Sequence, residues 1–245
     1  MTGNTGIICT DGRGTEMEFK KLDDITYVCD EGHVRFFLLI GDKEALMIDS
    51  GMQVTNAKEL AEKVTDKPIR LFNTHADRDH TGSNHEFESV MMNPAEFVNY
   101  KTEHPSQKME AVFDGDIIDL GNRTLKAIAL PGHTPGSTAL LDLNSGRFFS
   151  GDPIQKDGRI FMFGPMRDLP AYILSLKHLL SLNEDIKEIY PSHGAYPLKM
   201  DIIPKLIASA EKIEHGEIKA QRAEVFGNVI DEYDIGIDIL LCDVK

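Results

Sequence analysis

Apolar runs separated by turn-forming residues dominate the first part of the chain. Residues 25–29 are mostly β-branched or aromatic, residues 34–40 are nearly all apolar, and residues 45–49 form a third run after a polar turn at 41–44. Such runs, bounded by turn residues, are typical of β-strands. The run at 34–40 does not alternate between apolar and polar residues, so we expect its strand to be buried on both faces.

The hydrophobic period then changes from that of a strand to that of a helix. Apolar residues recur at intervals of three and four, which predicts an amphipathic helix that ends before Pro68. This stripe consists of Val54, Ala57, Leu60, Ala61 and Val64. Residues 69–73 form a short apolar run, which we predict to be a strand that leads directly into a polar segment starting at Thr74.

Strand-like and helical patterns alternate again in the second half. We predict four strands there, at residues 124–130, 138–143, 147–150 and 186–190. Asp168 followed by Pro170 is a typical helix start, and apolar positions then trace one helix face as far as Leu180. A second helical stripe covers residues 202–213. Residues 159–166 are apolar but loop-like, and we interpret them either as a cover of the core or as the lining of an acyl-binding pocket.

These elements suggest one unit rather than several. No linker rich in serine, glycine or proline divides the chain, so we predict a single domain over residues 1–245. A single α/β domain of this length is ordinary. Two series of strands, each followed by helices, predict two sheets packed together with helices outside them.

Composition argues against several classes of protein. The chain has 26 basic and 40 acidic residues and a net charge of −14, which argues against nucleic-acid or anionic-membrane partners. No apolar run approaches the roughly 20 residues of a membrane-spanning helix, and residues 1–6 lack the basic start of a secretory signal. The three cysteines, Cys9, Cys29 and Cys242, lie far apart, which indicates a reducing compartment. We therefore expect a cytoplasmic protein.

Histidine and aspartate recur directly after the predicted strands. Loops at strand ends are where a rigid scaffold presents reactive groups. Four possible metal ligands lie within the six residues 75–80, and three single ones follow in later loops. Imidazole and carboxylate without cysteine suit zinc, iron or manganese at a reactive site. The candidate ligands are His75, Asp77, Asp79, His80, His133, Asp152 and His193.

The order and context of these residues resemble the metallo-β-lactamase-fold hydrolase superfamily, which includes glyoxalase-II-like enzymes. The family signature is a His-x-His-x-Asp-His loop followed by a His, an Asp and a His. Here the loop reads His75-x-Asp77-x-Asp79-His80, and His133, Asp152 and His193 follow within Pro-Gly-His-Thr-Pro-Gly-Ser, Ser-Gly-Asp and Pro-Ser-His-Gly. The resemblance covers nearly the whole chain. It implies an α/β fold, a four-layer αββα sandwich with the site at one edge of its two sheets.

The resemblance also implies two divalent metal ions. One would be bound by His75, Asp77 and His133, the other by Asp79, His80 and His193, with Asp152 between them. Asp49 matches a family carboxylate that supports the site from the preceding strand end. Zinc is the usual metal of the family, but Asp77 stands where most of its hydrolases have a second histidine. Because an aspartate oxygen is a harder ligand than imidazole, iron and manganese are also candidates, and occupancy by one or two metals stays open.

Two activities follow from the resemblance. The first is hydrolysis of a small ester, thioester or lactone by a metal-bridging hydroxide, with Asp79 orienting the hydroxide and accepting a proton. The alternative is di-iron redox chemistry, because the flavodiiron oxygen and nitric oxide reductases have a carboxylate at the position of Asp77. The chain ends at Lys245 without their flavin domain, so electrons would come from a separate partner. The small-molecule substrate and the oligomeric state stay open.

Overall fold

Strands form most of the regular structure in the computed structural model, which describes residues 17–244. Cys9 lies outside these residues. In chain order the strands are β1 (Lys20–Asp23), β2 (Thr26–Asp30), β3 (Arg35–Ile40), β4 (Ala45–Ile48), β5 (Ile69–Phe72), β6 (Ser89–Met92), β7 (Lys108–Ala111), β8 (Ile117–Asp119), β9 (Thr124–Ala129), β10 (Thr138–Asp142), β11 (Arg147–Gly151), β12 (Arg159–Met162), β13 (Glu188–Pro191), β14 (Gln221–Val225), β15 (Asn228–Asp234) and β16 (Ile239–Cys242).

The helices fall between these strands. They are α1 (Ala57–Glu62), α2 (Phe97–Glu103), α3 (Leu169–Ser181) and α4 (Ile202–Glu214), and single 3₁₀ turns lie at Arg78–His80, Asn84–Glu86 and Pro94–Glu96. As predicted, Asp168 caps the N-terminus of α3, and its carboxylate accepts a hydrogen bond from the Ala171 amide at 2.8 Å. No helix within residues 17–244 is both long enough and apolar enough to span a bilayer.

Two sheets packed face to face form the centre of the molecule. The first has the order β1-β2-β3-β4-β5-β6-β7, and the second has the order β13-β11-β10-β9-β8. Apolar residues of α1 and α2 pack on the outer face of the first sheet, and those of α3 and α4 pack on the outer face of the second. The predicted αββα sandwich is therefore confirmed.

Strand β3 shows how the sequence specifies this packing. Phe37 and Leu39 face the core between the sheets, whereas Phe36 and Leu38 face the core beneath the helices. The ring of Phe37 lies edge-on to Phe149 of the second sheet, with 5.0 Å between the ring centroids. Because both faces of β3 are covered, its residues are apolar without alternation, as predicted.

A third sheet, with the order β12-β16-β15-β14, was not predicted. Residues 159–166 were interpreted as a loop, but Arg159–Met162 form β12, which pairs in parallel with β16. The interpretation as a loop was wrong because the partner strand lies about 80 residues further along the chain, and nothing local signals the pairing. Ile160 and Met162 are buried against the core beneath α3 and α4.

A buried arginine joins the two sheets at one edge. The Arg123 side chain is almost fully buried, and its guanidinium lies 2.8 Å from the Asp142 carboxylate. Arg123 also donates hydrogen bonds to the Ile25 carbonyl at 2.6 Å and to the Thr26 hydroxyl at 3.0 Å. The Arg123 side chain, from the second sheet, thereby provides hydrogen bonds to acceptor groups of the first sheet.

Strand ends of both sheets meet at the opposite edge. Strands β4 and β5 are parallel neighbours in the first sheet, as are β11 and β13 in the second, so their carboxyl ends point the same way. The Thr138 amide donates to the Thr74 carbonyl at 2.9 Å across the two sheets, and the Arg35 amide donates to the Ser192 carbonyl at 3.0 Å. These contacts hold the loops after the strands close together.

We expect replacement of Asp238 by asparagine to stabilise the fold above pH 6. Asp238 lies in the turn before β16, and burial raises the pKa of its carboxyl from 3.8 to about 6. The folded protein therefore keeps a proton that the unfolded chain has lost, and stability falls as the pH rises from about 4 through 6. Asparagine removes this penalty, on the order of 1–3 kcal/mol.

Thermal unfolding of both proteins between pH 4 and 8 measures this effect. Asp234→Asn, at an exposed position in the same turn, is the matched control, and its melting temperature should follow that of the parent. An Asp238→Asn protein that gains nothing between pH 4 and 8 would contradict the expected penalty.

Candidate metal centre

Seven side chains from four loops meet at the edge where the strand ends converge. His75, Asp77, Asp79 and His80 come from the loop after β5, His133 follows β9, Asp152 follows β11, and His193 follows β13. They form two groups, and within each group the possible ligand atoms all lie within 4.8 Å of one another. The structure thus brings together every candidate ligand that the sequence indicated.

The first group consists of His75, Asp77 and His133. The Asp77 Oδ2 atom lies 3.5 Å from Nε2 of His75 and 3.4 Å from Nε2 of His133. Both imidazoles are fully buried, whereas Asp77 is partly exposed to solvent. Ligands from the two sheets therefore face each other across this group.

The second group consists of Asp79, His80 and His193, together with Asp152. The Asp79 Oδ2 atom lies 3.6 Å from Nε2 of His80 and 3.2 Å from Nε2 of His193. Asp79 and His193 are partly exposed, so solvent reaches this group from one side.

Asp152 lies between the two groups and offers one oxygen to each. Its Oδ1 atom is 3.2 Å from Nε2 of both His80 and His193. Its Oδ2 atom is 3.5 Å from Nε2 of His133 and 4.0 Å from Nε2 of His75. Its two oxygens thus face different groups, as the predicted shared ligand would require.

Hydrogen bonds on the far side of each ring fix the four imidazoles. The Nδ1 atom of His80 is 2.8 Å from the Asp49 carboxylate, and that of His133 is 2.8 Å from the Phe161 carbonyl. The Nδ1 atoms of His75 and His193 contact the Thr74 hydroxyl and the His33 carbonyl. Such partners orient metal-binding histidines and leave Nε2 to the metal.

The atoms turned inward suit a cation. Within residues 17–244, Nε2 of His75, His80 and His133 and Oδ1 of Asp152 are buried without a hydrogen-bond partner. Buried polar atoms are ordinarily paired, so a cluster of unpaired ones needs a ligand. A divalent cation satisfies lone pairs of imidazole and carboxylate at once, and the donor set therefore fits a metal site.

Charges within the cluster compensate one another. Burial by itself lowers the pKa of His80, but the carboxylates of Asp79, Asp152 and Asp49 raise it well above its usual range. Burial also acts against the charged form of His193, and Asp152 and Asp79 nevertheless raise its pKa to about 10. The neighbouring carboxylates thus favour the protonated forms of His80 and His193, and a cation would replace those protons.

Two further carboxylates hold the loops that carry these ligands. Asp49 follows β4 and accepts hydrogen bonds from the Thr74 amide at 2.8 Å and the Thr74 hydroxyl at 2.9 Å, in addition to its contact with His80. Glu96 is fully buried and accepts from the amides of Ala76 at 3.0 Å and Gly136 at 2.7 Å. The sequence indicated Asp49 through the family resemblance but gave no sign of Glu96.

Arg167 is another residue that sequence reasoning missed. It lies in the loop after β12, and its guanidinium donates to Asp77 Oδ2 at 2.5 Å. The same oxygen faces His75 and His133, so Arg167 places a positive charge beside the first group. The two residues are 90 positions apart in the chain, and only the fold brings them together.

The remaining histidines and Tyr196 lie outside both groups. His104 stacks on the ring of Tyr100 at 4.4 Å, and His33 contributes only its carbonyl to the site. The guanidinium of Arg35 lies over the Tyr196 ring at 4.2 Å and donates to the carbonyls of Pro191 and Gly194, which flank His193. Arg35 therefore shapes the His193 loop from the first sheet.

An αββα sandwich with this ligand set at its edge defines the metallo-β-lactamase class of fold. Residues 29–214 match the family model described as metallo-beta-lactamase superfamily, and the chain belongs to that superfamily. The chain is 24% identical over 197 residues to the acyl-coenzyme A thioesterase MBLAC2 of Gallus gallus, covering 64% of this chain and 71% of that protein. It is 29% identical over 164 residues to the atrochrysone carboxyl ACP thioesterase of Aspergillus fumigatus, covering 65% of this chain and half of that protein.

Solved structures share the fold. A metallo-beta-lactamase from Pontibacter korlensis superposes with a TM-score of 0.66 at 16% identity, over 80% of this chain and 99% of that one. The rubredoxin oxygen:oxidoreductase from Desulfovibrio gigas also superposes with a TM-score of 0.66, at 15% identity, over 80% of this chain and 62% of that one.

Proposed function

We propose that this protein is a metal-dependent hydrolase of a small ester or thioester. The observation that carries the proposal is the pair of ligand groups on either side of Asp152, because four of their inward-facing atoms are buried without a hydrogen-bond partner within residues 17–244. Two relatives from different organisms are named as thioesterases, one acting on acyl-coenzyme A and one on an acyl carrier protein. Both names describe attack on a thioester carbonyl.

Different side chains would have different roles in the proposed reaction. Bound divalent cations supply Lewis acidity and a water of lowered pKa. Asp152 would contribute one oxygen to each of the two cation positions, because its two oxygens face different groups. Asp79 is partly exposed and lies next to His193, and we infer that its carboxylate would orient the attacking water and accept its proton. The hydrogen bonds of Arg35, Asp49 and Glu96 hold the ligand loops in position.

Di-iron redox chemistry is the second candidate. The carboxylate of Asp77 favours it, since hard oxygen ligands suit iron. The Desulfovibrio gigas oxidoreductase shares the fold, and at 15% identity that likeness supports the fold alone. The thioesterase relatives therefore make hydrolysis the leading proposal.

Metal analysis of freshly purified protein, together with its absorbance spectrum and turnover of thioester and ester probes, tests the proposal. We expect about two divalent metals per chain and hydrolysis of a simple p-nitrophenyl ester or acyl thioester that stops on chelation. Iron with charge-transfer absorbance and no ester or thioester turnover would support redox chemistry instead.

Replacing Arg167 by leucine is expected to tighten metal binding at the first group. The guanidinium donates to the Asp77 oxygen that faces both imidazoles, so it repels a cation there. Removing this charge should lower the dissociation constant of the metal at the first group roughly tenfold. Titration of metal-free protein with Zn²⁺ in a calorimeter measures both metals.

Arg167→Gln separates charge from positioning, because glutamine keeps an N–H donor without the charge. If charge decides the effect, both variants bind the metal at the first group more tightly. The same change at an exposed arginine of β14, Arg222→Leu, should leave both constants unchanged. Weaker binding in the leucine variant with parental binding in the glutamine variant would show that Arg167 positions Asp77 instead.

A further inference from the structure

A cavity of about 450 Å³ opens beside the first ligand group. The loop after β12, the β14–β15 hairpin and the segment around Glu96 and Asn99 enclose it, and Asp77 and Thr134 form its inner end. Asp77 lies within 3.5 Å of His75 and His133, so the cavity leads directly to the metal centre. Its volume is in the range of small-molecule sites.

Apolar side chains line part of the cavity, beside the polar Asn99, Asn228 and Asp243. Phe163, Pro165 and Met166 line one side, and Val229 lines the other with about two thirds of its surface exposed. Phe226, at the tip of the β14–β15 hairpin, is 84% exposed, and its ring lies 6.0 Å from that of Phe161. Exposed apolar side chains that gather around one opening mark a binding surface.

Backbone conformation singles out two of these residues. Within residues 17–244, six non-glycine residues have a positive φ, and four of them are aspartate or asparagine, for which this conformation is common. The other two are Met166, with φ of 72°, and Phe226, with φ of 51°. Large apolar residues rarely occupy this region, and such strain is concentrated at functional sites. Met166 lines the cavity, and Phe226 precedes Asn228 and Val229, which also line it, in the same hairpin.

The charged residues that line the cavity already have hydrogen-bond or ion-pair partners. Glu96 accepts hydrogen bonds from two backbone amides, and Asp243 accepts one from the Gly164 amide at 3.0 Å. Arg167 forms an ion pair with Asp77. An anionic group of a substrate would meet the carboxylates of Glu96 and Asp243 there. The cavity is therefore better suited to an uncharged, apolar group than to an acid.

We propose that this cavity, which we call the acyl cavity, binds the hydrocarbon chain of the substrate, with Met166 and Phe226 closing over it. The substrate class is then a medium-chain acyl ester or thioester whose carbonyl lies at the metal centre. This inference rests on the proposed hydrolase function and adds to it a preference for chain length. Removing either rim residue should weaken that preference.

Asparagine at position 226 or 166 tests the acyl cavity without straining the fold, because asparagine tolerates a positive φ. The measurement is the ratio of kcat/KM for p-nitrophenyl octanoate to that for p-nitrophenyl acetate. We expect Phe226→Asn and Met166→Asn each to lower this ratio about tenfold. Their melting temperatures should equal or exceed that of the parent. The control is Ile25→Asn, an exposed apolar residue at the opposite edge of the sandwich, which should keep the parental ratio.

Binding of octanoate and acetate, measured by calorimetry, makes the outcome independent of turnover. The acyl cavity is supported if the parent binds octanoate more tightly than acetate and both variants reduce this difference. If the same result is obtained but no ester is hydrolysed, the acyl cavity stands and only the proposed function fails. Hydrolysis of both esters with the same ratio in parent and variants overturns the acyl cavity and leaves the hydrolase proposal intact. Equal binding of octanoate and acetate by the parent also overturns it.

Discussion

Replacing Asp152 by alanine is expected to strip metal from both ligand groups and to lower hydrolysis by more than about a hundredfold. The two oxygens of this side chain face different groups, at 3.2 Å from His80 and 3.5 Å from His133. Its loss therefore removes one ligand from each cation position and the negative charge that offsets repulsion between the cations. Changing any other member of the cluster should weaken mainly one group.

Metal per chain after dialysis, determined by plasma emission spectroscopy, measures the effect. Asp152→Asn keeps the shape of the side chain and removes the charge, so we expect intermediate metal content. Asp24→Ala, at an aspartate whose side chain is 93% exposed, is the matched control and should retain all metal. An Asp152→Ala protein that keeps the parental metal content would show that Asp152 binds neither cation.

Replacing Arg123 by methionine should destabilise the protein by about 3–5 kcal/mol. The change leaves the Asp142 carboxylate buried without its ion-pair partner and removes the hydrogen bonds to Ile25 and Thr26. Methionine is similar in length and apolar, so the loss reflects the uncompensated charge rather than an empty space. Urea denaturation followed by circular dichroism gives the free energy of unfolding.

Two further variants identify the cause. Arg78→Met removes an arginine whose side chain is 79% exposed and paired with Glu103, and it should cost less than about 1 kcal/mol. Arg123→Met combined with Asp142→Leu removes both buried charges, and it should recover much of the lost stability. If the double variant were no more stable than Arg123→Met alone, the buried charge would not be the cause.

The sandwich itself was predictable because the local sequence pattern of its strands and helices indicates their structure. Strand β3 is apolar on both faces since each face meets a different core, and α3 begins at an aspartate cap followed by proline. The third sheet was not predictable in this way. Its strand β12 pairs with β16, and that contact between distant segments leaves no local periodicity.

The same distinction holds at the site. All seven ligand positions stand directly after strands and within recognisable turns, so the sequence indicated them without a structure. Glu96 and Arg167 act through contacts with residues 20 and 90 positions away. A lone glutamate or arginine in a loop carries no such information, and their roles became visible only when the two sheets were assembled.

Each ligand group draws side chains from both sheets, with His75 and His80 on one side and His133 and His193 on the other. A cation bound there is also a cross-link between the two halves of the sandwich. By mass action, a metal present at about 100 times its dissociation constant would add roughly 2.7 kcal/mol to the free energy of unfolding. The availability of metal in the surroundings would then set the fraction of chains that is folded, and chelation would lower that fraction as well as stop any metal-dependent reaction.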